Sequence, residues 1–151
     1  MKIYLLLLSI LVFSACDEPN KLVQNTVDGR FSITLSMERN WIRPDESIPV
    51  LMEIKNLNGT LEEGWTEPVE LIVNNGSINQ STVFVTFPDP GDSSHTEPDR
   101  FYTWLTLTGP DYRYVYSPQE GEIQAVFLDK LTRLHFRVLP AEDSLDATSQ
   151  E

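Results

Sequence analysis

The stretch "FSITLSM", residues 31–37, alternates Phe31, Ile33, Leu35 and Met37 with Ser32, Thr34 and Ser36. A helix needs apolar residues every three to four positions. A strand instead sends successive side chains to opposite faces, so a period of two marks a strand buried on one side. "IPVLMEI" (48–54) repeats the pattern with Ile48, Val50, Met52 and Ile54, and Pro49 within it suggests an edge or a strand start. "VELIV" (69–73) runs into Asn74, Asn75 and Gly76, a turn signal. "TVFVTF" (82–87), "FYTWLTL" (101–107) and "YRYVY" (112–116) are further strand candidates, and "EIQAVFL" and "TRLHFRV" flank Asp129 and Lys130, which read as a tight hairpin. About seven or eight short strands separated by Gly, Pro and Asn turns predict an all-β chain folded as a sandwich. Its predicted core is Phe31, Ile33, Leu35, Met37, Ile48, Val50, Met52, Ile54, Val69, Leu71, Val73, Ile123, Ala125, Phe127, Leu134, Phe136 and Val138.

No disulfide supports such a core, because the 151 residues include one cysteine, Cys16. It closes the most apolar run of the chain. Lys2 precedes an eleven-residue stretch from Ile3 to Phe13 whose one polar member is Ser9. That is short of the roughly 18 apolar residues a membrane span requires and suits the apolar core of a signal peptide. Ser14 and Ala15 then place small residues directly before Cys16.

Val12-Phe13-Ser14-Ala15-Cys16 resembles the lipobox of bacterial lipoproteins, with Phe13 where leucine is commoner. The resemblance implies that residues 1–15 are removed and that the Cys16 thiol receives a diacylglycerol, its new amine a further acyl chain. Two or three chains hold a protein stably where one does not. Asp17, beside the cysteine, resembles an inner-membrane retention signal in some bacteria and a surface-export signal in others. The expected location is therefore the bacterial cell envelope, with the outer membrane placed ahead of the inner.

The mature chain would hold 10 basic against 23 acidic residues, since Lys2 leaves with the signal. So acidic a surface repels nucleic acid and anionic headgroups, which leaves the acyl chains to hold the membrane. Residues 16–28 read as the lipidated cysteine and a polar tether, and residues 29–140 as one domain. Residues 141–151, with four acids and one leucine, read as a disordered acidic tail.

A second resemblance lies in the order of the strands and turns. Pro44 and Asp45, Asn56 to Gly59, and Val69 to Ile78 fall in the order and spacing of bacterial immunoglobulin-like modules of the invasin and intimin type. "EGEIQAVFLDKLTRLHFRV" resembles their closing hairpin, in which a glycine precedes an alternating strand. The match covers about residues 31–139, with an insertion across 88–100 and no clear copy of the small-residue-rich F strand of those modules. It implies an immunoglobulin-like sandwich of antiparallel strands.

Chemistry-bearing residues are sparse. His95 lies in a polar loop and His135 on the outward side of the last strand, and no nucleophile, phosphate-binding or metal-ligand motif occurs. Asp89, Asp92, Glu97 and Asp99 supply the oxygen ligands calcium prefers, but at no known calcium-loop spacing and among three prolines. The expectation is a solvated loop, with no metal or cofactor. Glu62, Glu63, Glu67 and Glu70 hold the carboxylates a glycosidase pair would need, and a soluble acidic rim is the simpler reading. Tyr112, Tyr114 and Tyr116 fall on one face if their segment is a strand, with Trp41 and Trp65 in turn-like contexts. Exposed, these rings would stack on sugars; packing between the sheets is the expectation for them and for Tyr102 with Trp104. Arg133, His135 and Arg137 form a basic stripe that reads as charge protecting an edge strand.

These features predict a non-catalytic, lipid-anchored envelope protein that works by protein–protein contact. The alternatives are a carbohydrate-binding accessory module using exposed Tyr and Trp, and an envelope hydrolase or its inhibitor. An envelope or surface protein, or a glycan, is the expected partner.

Overall fold

The computed structural model describes residues 22–27 as backbone, and residues 29–58, 61–62, 64–87 and 99–141. Among them ten strands form two five-stranded sheets. In chain order they are β1 (Leu22–Val27), β2 (Phe31–Met37), β3 (Trp41–Ile42), β4 (Ser47–Asn56), β5 (Thr66–Asn74), β6 (Ser77–Ile78), β7 (Thr82–Thr86), β8 (Arg100–Thr108), β9 (Gln119–Phe127) and β10 (Lys130–Val138). The first sheet runs β1-β2-β4-β8-β6 and the second β3-β10-β9-β5-β7. Every pairing is antiparallel except β3 with β10, which run parallel.

Register follows the alternation. Leu35 opposes Met52 and Met37 opposes Val50 across β2 and β4, so the apolar members of both strands share one face. The same face continues into β8, where Val50 meets Leu105 and Ile48 meets Leu107. The second sheet answers with Val69, Leu71, Ile123, Ala125, Phe127, Leu134, Phe136 and Val138, all buried between the layers. Every residue predicted for the core is buried except Val73, which packs against the core half-exposed. Ile42, Val83, Val85, Leu105, Leu107 and Val115 complete it. At one end Trp65 closes the space between the sheets, stacked on Phe31 at 5.2 Å and near Phe87 at 5.6 Å, with Phe127 edge-on to Phe31.

Four features depart from the sequence reading. Leu22–Val27 pair along the outer edge of β2, within the stretch expected as tether. "YRYVY" is not a strand: the Asp111 carboxylate accepts the Arg113 backbone N–H at 3.0 Å and Tyr114 N–H bonds to the Asp111 carbonyl, which winds Tyr112–Tyr114 into a 3₁₀ turn. The hairpin turn sits one residue early, since Phe127 pairs with Lys130 and leaves Leu128 and Asp129 as its two loop residues. Both have positive φ, 47° and 60°, as the favoured two-residue hairpin turn requires. Finally, Tyr102 and Trp104 point to solvent, because the inward phase of β8 belongs to Leu105 and Leu107.

Candidate functional site

Three surface regions carry side chains that the fold does not need. The first is the outer face of the second sheet. Phe84 on β7 is 64% exposed and lies opposite Pro68 of β5. One strand further in, Val126 opposes Leu131, which is exposed, and Ile72 opposes Gln124 with 56% of its own surface in water. Phe84, Pro68, Ile72, Val126 and Leu131 thus share one face across four adjacent strands. Large apolar side chains grouped in this way on a solvent face mark interaction surfaces. Exposed Glu70 stands among them, opposite Val126 and between Pro68 and Ile72, and beyond them the face is charged, with the Arg133 guanidinium 3.0 Å from Glu122 and Arg137 3.8 Å from Glu120. His135 pairs in register with Glu122. The basic stripe therefore lies beside acids of β9.

The second region is the outer face of the first sheet. Tyr102 and Trp104, 62% and 59% exposed, stand two residues apart on β8, with Leu51 of β4 opposite Trp104 and Glu53 opposite Tyr102. Burial pushes the Glu53 carboxyl up, but hydrogen bonds and charge from Arg100 and Lys55 outweigh it, and its pKa ends below the ordinary glutamate value. Glu53 is thereby held ionised beside the rings, with the Lys55 ammonium at 3.1 Å.

The third region is the end of the sandwich made by residues 38–46 and 109–118. Trp41 is half-buried beneath Arg39, whose guanidinium carbon lies 4.0 Å from the ring centroid, and Arg43 approaches the same ring at 5.7 Å. Arg39 bonds to Glu46, which also accepts the Arg43 backbone N–H at 3.0 Å. Pro44 and Asp45 make the expected turn, Asp45 with φ 58°. Asp111 grips Arg113 through both carboxylate oxygens, and those hydrogen bonds lower its pKa to about 2. Tyr114 and Tyr116 project into water, 69% and 85% exposed, on either side of buried Val115.

The five aromatic candidates are thus divided. Trp41, Tyr114 and Tyr116 belong to one end of the sandwich, because β3 pairs with Arg137 and Val138, Val138 pairs with Gln119, and the Gln119 amide bonds to the Tyr114 carbonyl. Trp65 packs at the other end, and the Tyr112 side chain lies outside the described residues. Of the acidic loop, Asp89, Asp92 and Glu97, with His95, lie outside the described residues, and Asp99 is exposed where its carbonyl accepts the Asn56 N–H. Cys16 and Glu63 also fall outside them. Glu67 and Glu70 stand on opposite faces of β5 and Glu62 is exposed in the turn before it, so these three do not converge. Tyr102, Trp104 and Phe84 were the residues that sequence reading missed. In "FYTWLTL" both phases are apolar enough to be the core phase; the cue lay in the leucines, which have no polar end to present to water. The sequence matches no family model and no curated protein.

Proposed function

We propose that this chain is a lipid-anchored protein of the bacterial cell envelope, joined to the membrane at Cys16, whose immunoglobulin-like domain works by protein–protein contact and not by catalysis. The order of the ladders supports the immunoglobulin-like assignment. In order across the sheet β2, β4, β8 and β6 correspond to the A, B, E and D strands of one immunoglobulin sheet, and β5, β9 and β10 to C, F and G of the other. β1 and β7 are additions at the two edges, on β2 and β5. The role in contact rests on one observation, the apolar group of Phe84, Pro68, Ile72, Val126 and Leu131 on the second sheet's outer face. The anchor rests on the sequence from Lys2 to Cys16, and the envelope location, outer membrane ahead of inner, on the same residues with Asp17.

A photo-crosslinking residue at position 84 in living cells tests the contact, with position 106 on the opposite sheet as control. A discrete adduct at 84 that is absent at 106, and is lost when Ile72 and Leu131 are replaced by serine, is expected. Adducts of equal yield at both positions would remove the basis for the reading. Mass spectrometry of the mature N-terminus and membrane fractionation of a Cys16→Ser variant test the anchor, which should release the protein. A carbohydrate-binding role is the second reading, supported by the exposed pair Tyr102 and Trp104. Quenching of tryptophan fluorescence by envelope glycan fragments, abolished in Trp104→Ala, is its test.

A further inference from the structure

The reach of the tether decides which part of the domain meets the membrane. Strand β1 begins at Leu22, so six residue steps separate the domain from Cys16, or about 20 Å at full extension. Leu22 sits in register with Met37, Met37 with Val50, and Val50 with Leu105. From that level β4 and β8 run three residues further toward the same end, to the pair Ser47 and Thr108, which adds about 10 Å of sheet. The segments 38–46 and 109–118 close that end, with Ile42 of β3 and Val115 turned into the core and Tyr114 and Tyr116 turned out to solvent. A chain held at Cys16 therefore has about 10 Å to spare past the last rung of the sheet, enough to bring the exposed side chains of those segments to the membrane surface.

What the turns present suits a bilayer surface. Tyr114 and Tyr116 are the two most exposed large aromatic side chains among the described residues. Tyrosine, with an apolar ring and a polar tip, is a residue of the membrane–water interface, where tryptophan and arginine also lie. Residues 38–46 and 109–118 carry three arginines against four acids, so these two segments are close to neutral within a strongly acidic sequence.

We propose that the end of the sandwich formed by residues 38–46 and 109–118 rests on the phospholipid headgroups around the anchor, with Tyr114 and Tyr116 entering the interface. The inference rests on lipidation at Cys16 and adds to it a fixed orientation: the protein stands end-on, both outer sheet faces free for partners.

Full-length acylated protein in vesicles of phosphatidylethanolamine with a minority of phosphatidylglycerol tests this. Lipidation occupies the Cys16 sulfur, so Ser117→Cys and Lys130→Cys each introduce one labelling site, at the proposed membrane end and at the opposite end. An environment-sensitive fluorophore at position 117 should be quenched by headgroup-level spin-labelled lipid about fivefold more than one at 130, and replacing Tyr114 and Tyr116 by serine should remove most of the difference. Equal quenching at both sites, or an unchanged difference without the tyrosines, overturns the proposal. Quenching of a probe at Thr34→Cys in place of 117 overturns it as well, because the domain would then lie on its first sheet. Failure of the lipidation reading is seen separately: the protein would not float with the vesicles.

Discussion

Gly121 lies directly opposite Phe136 in the β9–β10 ladder, and the Phe136 ring covers it so closely that a methyl on Gly121 would come within 2.3 Å of two ring carbons. The hydrogen at Gly121 is what lets the largest fully buried side chain of the core lie flat between the sheets.

Gly121→Ala forces that ring out of place and should cost about 1–3 kcal/mol, the usual range for overpacking. Phe136→Ala should cost about 3–5 kcal/mol, whereas Arg137→Ala, outward-facing and exposed, should cost under about 0.5 kcal/mol. Because Gly121 and Phe136 touch, Gly121→Ala should be partly relieved when Phe136 is also replaced by leucine. Urea melts of these four variants and of Phe136→Leu alone check this, and strictly additive losses in the double variant would contradict the contact.

Thr132 sits in the inward phase of β10, 1% exposed, and its hydroxyl has no hydrogen-bond partner among the described residues. A buried hydroxyl without a partner costs about 1–3 kcal/mol, so Thr132→Val, equal in shape, should stabilise the domain by about 1 kcal/mol. A shift of the thermal midpoint upward is the expected result; a downward shift would mean that the hydroxyl is satisfied.

Glu53 and Glu46 both have pKa values below the ordinary 4.5, each against an upward push from burial that hydrogen bonds to arginine and neighbouring positive charge overcome. A carboxyl whose pKa is lowered by folding contributes stability above its unfolded value and loses it as pH falls through the folded one. Stability should therefore drop as pH is taken below about 4.5. Glu53→Gln, less stable at pH 7, should show a shallower drop. Urea midpoints measured from pH 7 to pH 3 decide it; parallel curves for the two proteins would rule out Glu53 as a source of the acid sensitivity.

β7 forms an edge of the second sheet, and its sequence, Thr82-Val83-Phe84-Val85-Thr86, carries no charge or proline to block pairing. The five residues read the same in both directions, so antiparallel pairing with a second copy would set Phe84 against Phe84. Phe84→Lys should lower self-association in light scattering as concentration rises, with the thermal midpoint almost unchanged. Unaltered scattering would show that the edge is not the point of contact.

Alternation alone determined the layers. Where a strand had one apolar and one polar phase, as in "FSITLSM" and "TRLHFRV", a one-residue slip would expose every core side chain, and the face was legible without a structure. The tight turn at Pro44 and Asp45 was legible for a similar reason, since few residues tolerate φ 58° and aspartate is one. Tertiary structure decided the rest. β8 has two apolar phases, and pairing with Val50 and Ile48 of β4, 55 and 59 residues earlier, selected Leu105 and Leu107 and sent Trp104 to solvent. "YRYVY" alternates like a strand, but Asp111 binds the local backbone first and winds it into a turn. β1 lacks an alternating pattern and became a strand because β2 offered it an edge. That last pairing matters most for the site. It would leave six residues for the proposed tether, a length that local sequence does not encode, because it depends on where a distant strand leaves hydrogen bonds to fill.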